Sequence, residues 1–354
     1  MSTPFYLFGI FLSFFIKNKY IYLIYILYLI IFATIFVFYF SPDSVNYRGQ
    51  SNKYYFSDLI NFQWNNVEPG FVFLSAFFNY FNIHYIYVIV CCLILAVTLK
   101  VNFIVKNFND PFFILLGYTS YFFILHEMTQ IRAAVALAFG IYAIRYFSEN
   151  KIARANFFII LSSLFHYSLI SFLIFNLFKF YKPTLLHLWI GILLIILITF
   201  FLGIISSQST ENLITLLPFS ERYFYYNSEQ LGDAVFFRLK FFGILFLCIV
   251  VSYVFKREIN SISKIELFSI YSIFIALIIY CFFYEIEQLQ VRLSEIFLFP
   301  SIFLIPRIVN QFKPKELISA AAVFIVISIN IYYTQYVVVF KEIKFEDYID
   351  VEKK

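Results

Sequence analysis

Long apolar stretches, separated by short polar segments and clusters of Lys and Arg, dominate the hydrophobic pattern of this chain. A helix that crosses a membrane needs about 20 apolar residues. The pattern therefore predicts an all-α fold: a polytopic transmembrane helical bundle of about 10–12 spans, organised as a single membrane domain over residues 1–354. The stretches long enough to cross are 20–40, 84–105, 184–206, 236–255, 265–284, 291–309 and 317–340, and shorter ones cover 4–16, 111–125 and 131–147.

The composition points to the same class. Of the 354 residues, 62% are hydrophobic and only 13% are charged, whereas a soluble domain carries about 25% charged residues. Lipid must therefore cover most of the surface, and a soluble protein is excluded. The four cysteines lie inside apolar stretches without disulfide or metal-ligand spacing, so they predict no metal site. We also expect no cofactor.

Two apolar segments fit a single crossing poorly. Residues 69–81 are too short, and 156–178 carry His166 at their centre. The cytoplasmic loops of membrane proteins hold the excess of Lys and Arg. That excess is largest if 69–81 does not cross and if 156–178 enters and returns as a hairpin with His166 near its tip. The alternative is that both segments cross once.

In the favoured topology Lys100 lies inside the cell and residues 126–130 lie outside. Two extracytoplasmic loops, 41–68 and 207–235, also face the outside. Re-entrant segments at membrane depth occur where they are buried in protein or line a wet cavity. We therefore expect a cavity that opens to the outer face.

The stretch HEMTQIRAAVALAFG, at 126–140, joins a polar cluster to a helix rich in small residues. Small residues four apart, among them Ala136 and Gly140, let helix backbones approach closely. The helix is therefore expected inside the bundle, with Arg132 at its start pointing inward. Its guanidinium suits a phosphate or a carboxylate; the alternative is an interfacial Arg whose charge reaches water.

Other arginines fall on the predicted outer side, namely Arg222, Arg238 and Arg292. Several arginines converging on one cavity would form a site for a pyrophosphate-sized anion. Arg292 has a second interpretation, because Gln288 and Glu295 lie on the same helical face at spacings of four and three.

Three more polar residues each have two interpretations. His166 is either a core histidine bonded to a nearby serine or a base that reaches the cavity. Glu68 precedes Pro69, a normal helix start, and either complements the helix dipole or takes part in chemistry. Asp43 follows Pro42 and is either a turn residue or a candidate base.

Short motifs along most of the chain resemble those of the EpsG-like branch of Wzy-type polysaccharide polymerases. The resemblance lies in an outer Asp and Tyr before a Glu-Pro-Gly, an Ile-Arg that opens an Ala-rich helix, a Phe-His-x-Ser, and an Arg-Leu near a late span. No Walker loop, dinucleotide fingerprint, HExxH, GxSxG or DxD motif is present. The segments that carry the resemblance are SPDSVNY, EPGFVFLSAFFNYF, HEMTQIRAAVALAFGIYAIRYFSENK, FFIILSSLFHYSLISFLI and QLQVRLSEIFLFPSIFLIP.

The resemblance implies a GT-C-like fold and an inverting, metal-independent glycosyltransferase. Its substrates would be undecaprenyl-diphosphate-linked oligosaccharide repeat units, polymerised into O-antigen, capsular or exopolysaccharide on the extracytoplasmic face. It implies the bacterial inner membrane, contact with membrane lipids and with a chain-length regulator, and no nucleic acid. The implied residues are His166, Glu68 and Asp43 as bases; Arg132, Arg292, Arg222 and Arg238 for the diphosphate; and Gln130, Tyr47 and Glu295 for other substrate contacts.

Other interpretations remain open. A flippase for lipid-linked oligosaccharide would share the cationic cavity, but it usually shows internally repeated halves, and we find no repeat. An O-antigen ligase would use the same donor with another acceptor, and an acyltransferase would use His126 with His166. The outer aromatics, such as Tyr47, Trp64 and Tyr223, would either stack on sugars or form an interfacial belt.

Overall fold

The computed structural model describes residues 2–41, 44–62, 67–205, 234–256, 262–283 and 287–311. Within these ranges the regular structure is helical and contains no strand, which confirms the all-α prediction. The α-helices are α1 Ser2–Phe14, α2 Lys19–Phe40, α3 Ser44–Lys53, α4 Phe56–Ile60, α5 Pro69–Tyr80, α6 Ile86–Asn107, α7 Pro111–Gly117, α8 Ile131–Ser148, α9 Ile152–Ser163, α10 Leu177–Phe180, α11 Leu185–Ile205, α12 Ala234–Lys256, α13 Lys264–Phe282, α14 Glu287–Leu298 and α15 Ile305–Gln311. A π-helix covers Tyr118–Glu127, and 3-10 helices cover Tyr167–Asn176 and Phe299–Leu304.

Several described segments are long and apolar enough to cross a membrane. Each coincides with a stretch predicted from the hydrophobic pattern, and shorter apolar helices accompany them. The polytopic membrane fold is therefore confirmed, while the predicted span 317–340 lies outside the described residues. The five segments of sufficient length within the described ranges are Lys19–Tyr39, Ile86–Asn107, Ile131–Ser148, Lys264–Phe282 and Leu289–Gln311.

Local signals in the sequence set several helix starts. The Asn18 side chain accepts from the Tyr20 N–H at 2.9 Å at the start of α2. Ser263 and Glu266 form a reciprocal capping box at the start of α13, which satisfies N–H groups that have no partner inside the helix. Pro69 occupies the first turn of α5, where its missing N–H is not needed.

The segment predicted as the outer loop 41–68 is more ordered than a loop, because it contains α3 and α4. The Asn79 side chain, near the end of α5, donates to the carbonyls of Ser51 at 2.7 Å and Tyr54 at 2.8 Å. Helix α5 has 12 residues, about 18 Å, so it cannot cross a hydrocarbon core of about 30 Å. The other predicted loop, 207–235, lies outside the described residues except for the first turn of α12.

Helix α9 packs antiparallel against α8. Phe158 stacks on Tyr142 with 5.6 Å between ring centroids. One turn further along α9, the Ser162 hydroxyl donates to the carbonyl of Ala136. Later residues of α9 therefore contact earlier residues of α8, which shows that the two helices are antiparallel.

After α9 ends at Ser163, the 3-10 helix returns along α8. Phe172 lies against Gly140, where an added Cβ would be 3.1 Å from the Phe172 ring. His166 lies in the break between the two helices. The predicted hairpin with His166 near its tip is therefore observed. The small residues of α8 make this approach possible, and most of that helix is buried.

A fully buried ion pair joins α6 to the π-helix. Lys100 Nζ lies 2.5 Å from Glu127 Oε1, and both side chains are 0% exposed. The same ammonium lies 5.7 Å from the centroid of the Tyr118 ring. The prediction that Lys100 is a cytoplasmic flank, opposite an outer 126–130, is wrong, because two groups in contact cannot face opposite sides of a membrane.

The chain divides into two compact units. One comprises Met1–Ala143, Ala153–Phe172 and the described part of Ile305–Lys354; the other comprises the described parts of Ile144–Ile152 and Leu173–Leu304. In the second unit, the Trp189 indole donates to the Ser252 hydroxyl at 3.0 Å and ties α11 to α12. The single membrane domain over 1–354 stays a prediction.

Candidate functional site

The Glu68 carboxylate lies between two polar side chains that come from distant parts of the chain. One oxygen, Oε2, accepts from Arg132 Nη1, and the other, Oε1, lies 3.2 Å from His166 Nδ1. The three side chains are 3%, 18% and 20% exposed for Glu68, Arg132 and His166 respectively. We call these three residues the Glu-Arg-His cluster; it combines a buried anion with two groups that are each about one-fifth exposed.

The Glu-Pro-Gly sequence explains how Glu68 reaches this position. Glu68 makes no side-chain capping bond to α5, so its carboxylate is not used as a helix cap. The Gly70 N–H donates to the Leu164 carbonyl at 2.7 Å, at the hairpin tip. A Cβ on Gly70 would lie 2.8 Å from that oxygen. The glycine is therefore needed for the close backbone approach that holds Glu68 beside His166.

Arg132 is the second residue of α8 and points into the protein. Its guanidinium lies 5.7 Å from the centroid of the Phe71 ring, which is fully buried. This arrangement favours the predicted inward Arg over an interfacial one. A guanidinium carries five N–H donors in a planar fork, so binding one carboxylate does not exhaust its capacity.

His166 presents its two ring nitrogens to different surroundings. Nδ1 faces the Glu68 carboxylate, and a carboxylate partner favours the tautomer with the proton on Nδ1. Nε2 is then an acceptor on the other side of the ring. This arrangement is that of a base oriented by an acid, and it differs from the alternative of a core histidine bonded to a serine.

Glu68 is held as an anion. Burial alone would raise the pKa of its carboxyl, but the Arg132 charge and the hydrogen bond and charge of His166 lower that pKa from 4.5 to about 2. Glu68 precedes α5 and lies outside the helices that are long enough to cross a membrane. Such a weak base is suited to orienting its neighbours rather than to accepting a proton.

Tyr47 and Gln130, predicted as substrate contacts, lie near the same helix start. Tyr47 is only 4% exposed, and its hydroxyl contacts the backbone on both sides of Gln130. Its ring therefore has no open face for stacking on a sugar in this structure. Gln130 is half-buried, and its N–H donates to the Leu125 carbonyl at 3.3 Å.

The remaining predicted residues belong to the second unit or lie outside the described residues. Arg292 is exposed on α14, and Glu295 forms an ion pair with Lys240 of α12 in which both side chains are at least nine-tenths buried. Arg238 belongs to α12, although its side chain is not described. Asp43 and Arg222 lie outside the described residues, so their roles stay predictions.

Sequence reasoning missed the apolar support of the site. Phe71 is one of 52 phenylalanines, and nothing in the pattern distinguishes it as the ring beneath Arg132. Gly70 had a weaker signal, since a glycine inside a helix is destabilising relative to alanine and therefore suggests a close backbone approach. Within the described ranges, no group of three or more His, Cys, Asp or Glu side chains could hold a metal ion.

Comparison with known proteins gives one family. The sequence model of the EpsG family matches residues 21–348, nearly the whole chain. No curated protein and no solved structure matches the chain. The matched range contains every member of the Glu-Arg-His cluster.

Proposed function

Because this chain belongs to the EpsG family of Wzy-like polysaccharide polymerases, we propose that it polymerises undecaprenyl-diphosphate-linked oligosaccharide repeat units on the extracytoplasmic face of the bacterial inner membrane. The observation that carries the proposal is the Glu-Arg-His cluster. It brings together a base, an acid that orients the base, and a cation for a phosphate, which are the groups this transfer needs.

The proposed reaction is a single displacement with inversion. A hydroxyl of the acceptor sugar attacks the anomeric carbon of the donor and forms the new glycosidic bond. The bond between that carbon and the diphosphate oxygen breaks, and its electron pair leaves with the lipid diphosphate. His166 Nε2 takes the hydroxyl proton, and Arg132 stabilises the negative charge that develops on the leaving group.

The structure supports His166 rather than Glu68 as the base. The pKa of Glu68 is lowered to about 2 although burial opposes this, so its carboxylate accepts a proton weakly at neutral pH. We assign Glu68 as a positioning residue that fixes the ring of His166 and the fork of Arg132. Asp43 stays a prediction, as do Arg222, Arg238 and Arg292 as further diphosphate contacts and a chain-length regulator as a partner.

The test is complementation of a strain from which the gene is deleted, followed by gel analysis of surface glycan. The deletion is expected to leave single repeat units, and the wild-type gene to restore the ladder of longer chains. His166→Ala and Arg132→Ala should leave single units at normal protein level. Matched controls are His187→Ala, at an exposed histidine of α11, and Arg145→Ala, at the other end of α8; both should restore the ladder.

The same gel separates the competing functions. Loss of every repeat unit in the deletion strain, rather than loss of chain growth, would indicate a flippase or ligase and would contradict the proposal. Ladders of wild-type length in both alanine variants would show that the Glu-Arg-His cluster is not the catalytic site.

A further inference from the structure

The hydroxyl of Tyr47 caps helix α8 from a different helix. Tyr47 Oη accepts a hydrogen bond from the Ile131 N–H at 3.0 Å and donates one to the Thr129 carbonyl at 3.2 Å. Ile131 is the first residue of α8, and the N–H groups of a first helical turn have no partner within their own helix. Tyr47 lies in α3, 84 residues away along the chain. One side chain therefore holds the backbone on both sides of Gln130, in the turn that leads into α8.

The ring of Tyr47 also contacts the Arg132 guanidinium indirectly, through the ring of Phe71. Its centroid lies 6.0 Å from that of Phe71, and Phe71 is the ring beneath Arg132. Arg132 follows Ile131 directly, so the turn held by Tyr47 also sets the direction of the Cα–Cβ bond of Arg132. Two independent routes, one through the backbone and one through Phe71, therefore lead from Tyr47 to the guanidinium.

We propose that Tyr47 is a positioning residue that aims the Arg132 guanidinium at the departing diphosphate. This role rests on the proposed function, and it replaces contact of Tyr47 with sugar. Catalysis requires reacting groups to be held within a fraction of an ångström, so a small shift at the start of α8 lowers the rate of the chemical step. Binding of the substrate in its ground state should not change, because it does not depend on this alignment.

The experiment measures chain growth in membranes that contain the full-length protein. The probe is the lipid-linked single repeat unit extracted from the deletion strain, and rates are normalised to folded protein measured by size-exclusion chromatography. Tyr47→Phe removes one oxygen and keeps the ring. We expect kcat to fall roughly tenfold, because the variant loses both hydrogen bonds of the hydroxyl and the start of α8 is held less firmly, while KM is unchanged.

The matched control is Tyr271→Phe. Tyr271, in α13, is 3% exposed, and its hydroxyl donates to the Pro183 carbonyl at 3.3 Å, so this variant also loses a tyrosine hydrogen bond but changes a residue of the second unit. Its kcat should match that of the wild type.

A double-variant cycle separates positioning from general support of the fold. In an Arg132→Lys background, adding Tyr47→Phe should lower kcat less than about twofold, because the hydroxyl acts through the guanidinium that has been removed. A full further loss of roughly tenfold would overturn the inference, as would wild-type kcat in Tyr47→Phe. If wild-type membranes extend no units, the proposed function itself fails, so the two failures are distinguishable.

Discussion

The buried pair of Lys100 and Glu127 gives the sharpest stability prediction. Its atoms are 2.5 Å apart, and neither side chain is exposed. Replacing Lys100 with Met keeps most of the unbranched side chain, which becomes one atom shorter, but leaves the Glu127 carboxylate without its cation. Breaking such a pair by removing one partner costs about 3–5 kcal/mol, a large part of the roughly 5–15 kcal/mol that stabilises a folded protein.

The double variant Lys100→Met/Glu127→Leu should be far more stable than Lys100→Met alone. Replacing both members of a buried ion pair with apolar residues is often neutral or stabilising, because the desolvation of both charges is avoided. The assay is the midpoint temperature for loss of the monodisperse peak when the detergent-solubilised protein is heated before size-exclusion chromatography.

The control for this cycle is Lys151→Met. Lys151 Nζ lies 2.6 Å from Glu149, but its side chain is 49% exposed, and exposed pairs contribute little to stability. A Lys100→Met protein as stable as the wild type would refute the reasoning. So would a double variant as unstable as Lys100→Met, because the loss would then come from packing rather than from an unpaired charge.

Further predictions concern the hairpin tip and the Glu-Arg-His cluster. Gly70→Ala would place a Cβ 2.8 Å from the Leu164 carbonyl, so we expect short glycan chains at normal protein level; Gly49→Ala, where nothing lies within 4 Å, should give the wild-type ladder. Burial raises the pKa of Glu68, but Arg132 and His166 outweigh it and lower that pKa from 4.5 to about 2. Ionised Glu68 therefore stabilises the fold above about pH 4.5 and loses this effect as the pH falls toward 2, so melting curves of wild type and Glu68→Gln should converge only in acid; equal curves at neutral pH would contradict this. In a cysteine-depleted protein, cysteine at position 152 should resist membrane-impermeant maleimide added outside the cell, and labelling there would overturn the hairpin topology.

The spans could be predicted because each depends on about 20 neighbouring residues, whose hydrophobicity is visible in any window of the sequence. The hairpin could also be predicted, because His166 interrupts an apolar stretch that is flanked by basic clusters. By contrast, the partners of Glu68 lie 64 and 98 residues away. Contacts at that separation depend on tertiary packing, so the pattern identified the members of the cluster but not their pairing.

The position of Lys100 shows where a local rule fails. Lys100 and Lys106 end an apolar stretch, and the excess of basic residues at span ends is a good guide to orientation. That rule counts charges without regard to burial. Lys100 lies within α6 and is buried against Glu127, so only packing across the bundle reveals that it belongs to the interior.

The π-helix at Tyr118–Glu127 sets the angular phase of the segment that follows it. In an α-helix each residue turns the chain by about 100°, whereas the wider turns of a π-helix hold more residues per revolution. Adding or deleting one residue between Tyr118 and Glu127 would swing Glu127 away from Lys100 by about a quarter of a revolution. This stretch should therefore tolerate substitutions far better than changes of length, unlike a surface loop, in which an extra residue is usually harmless.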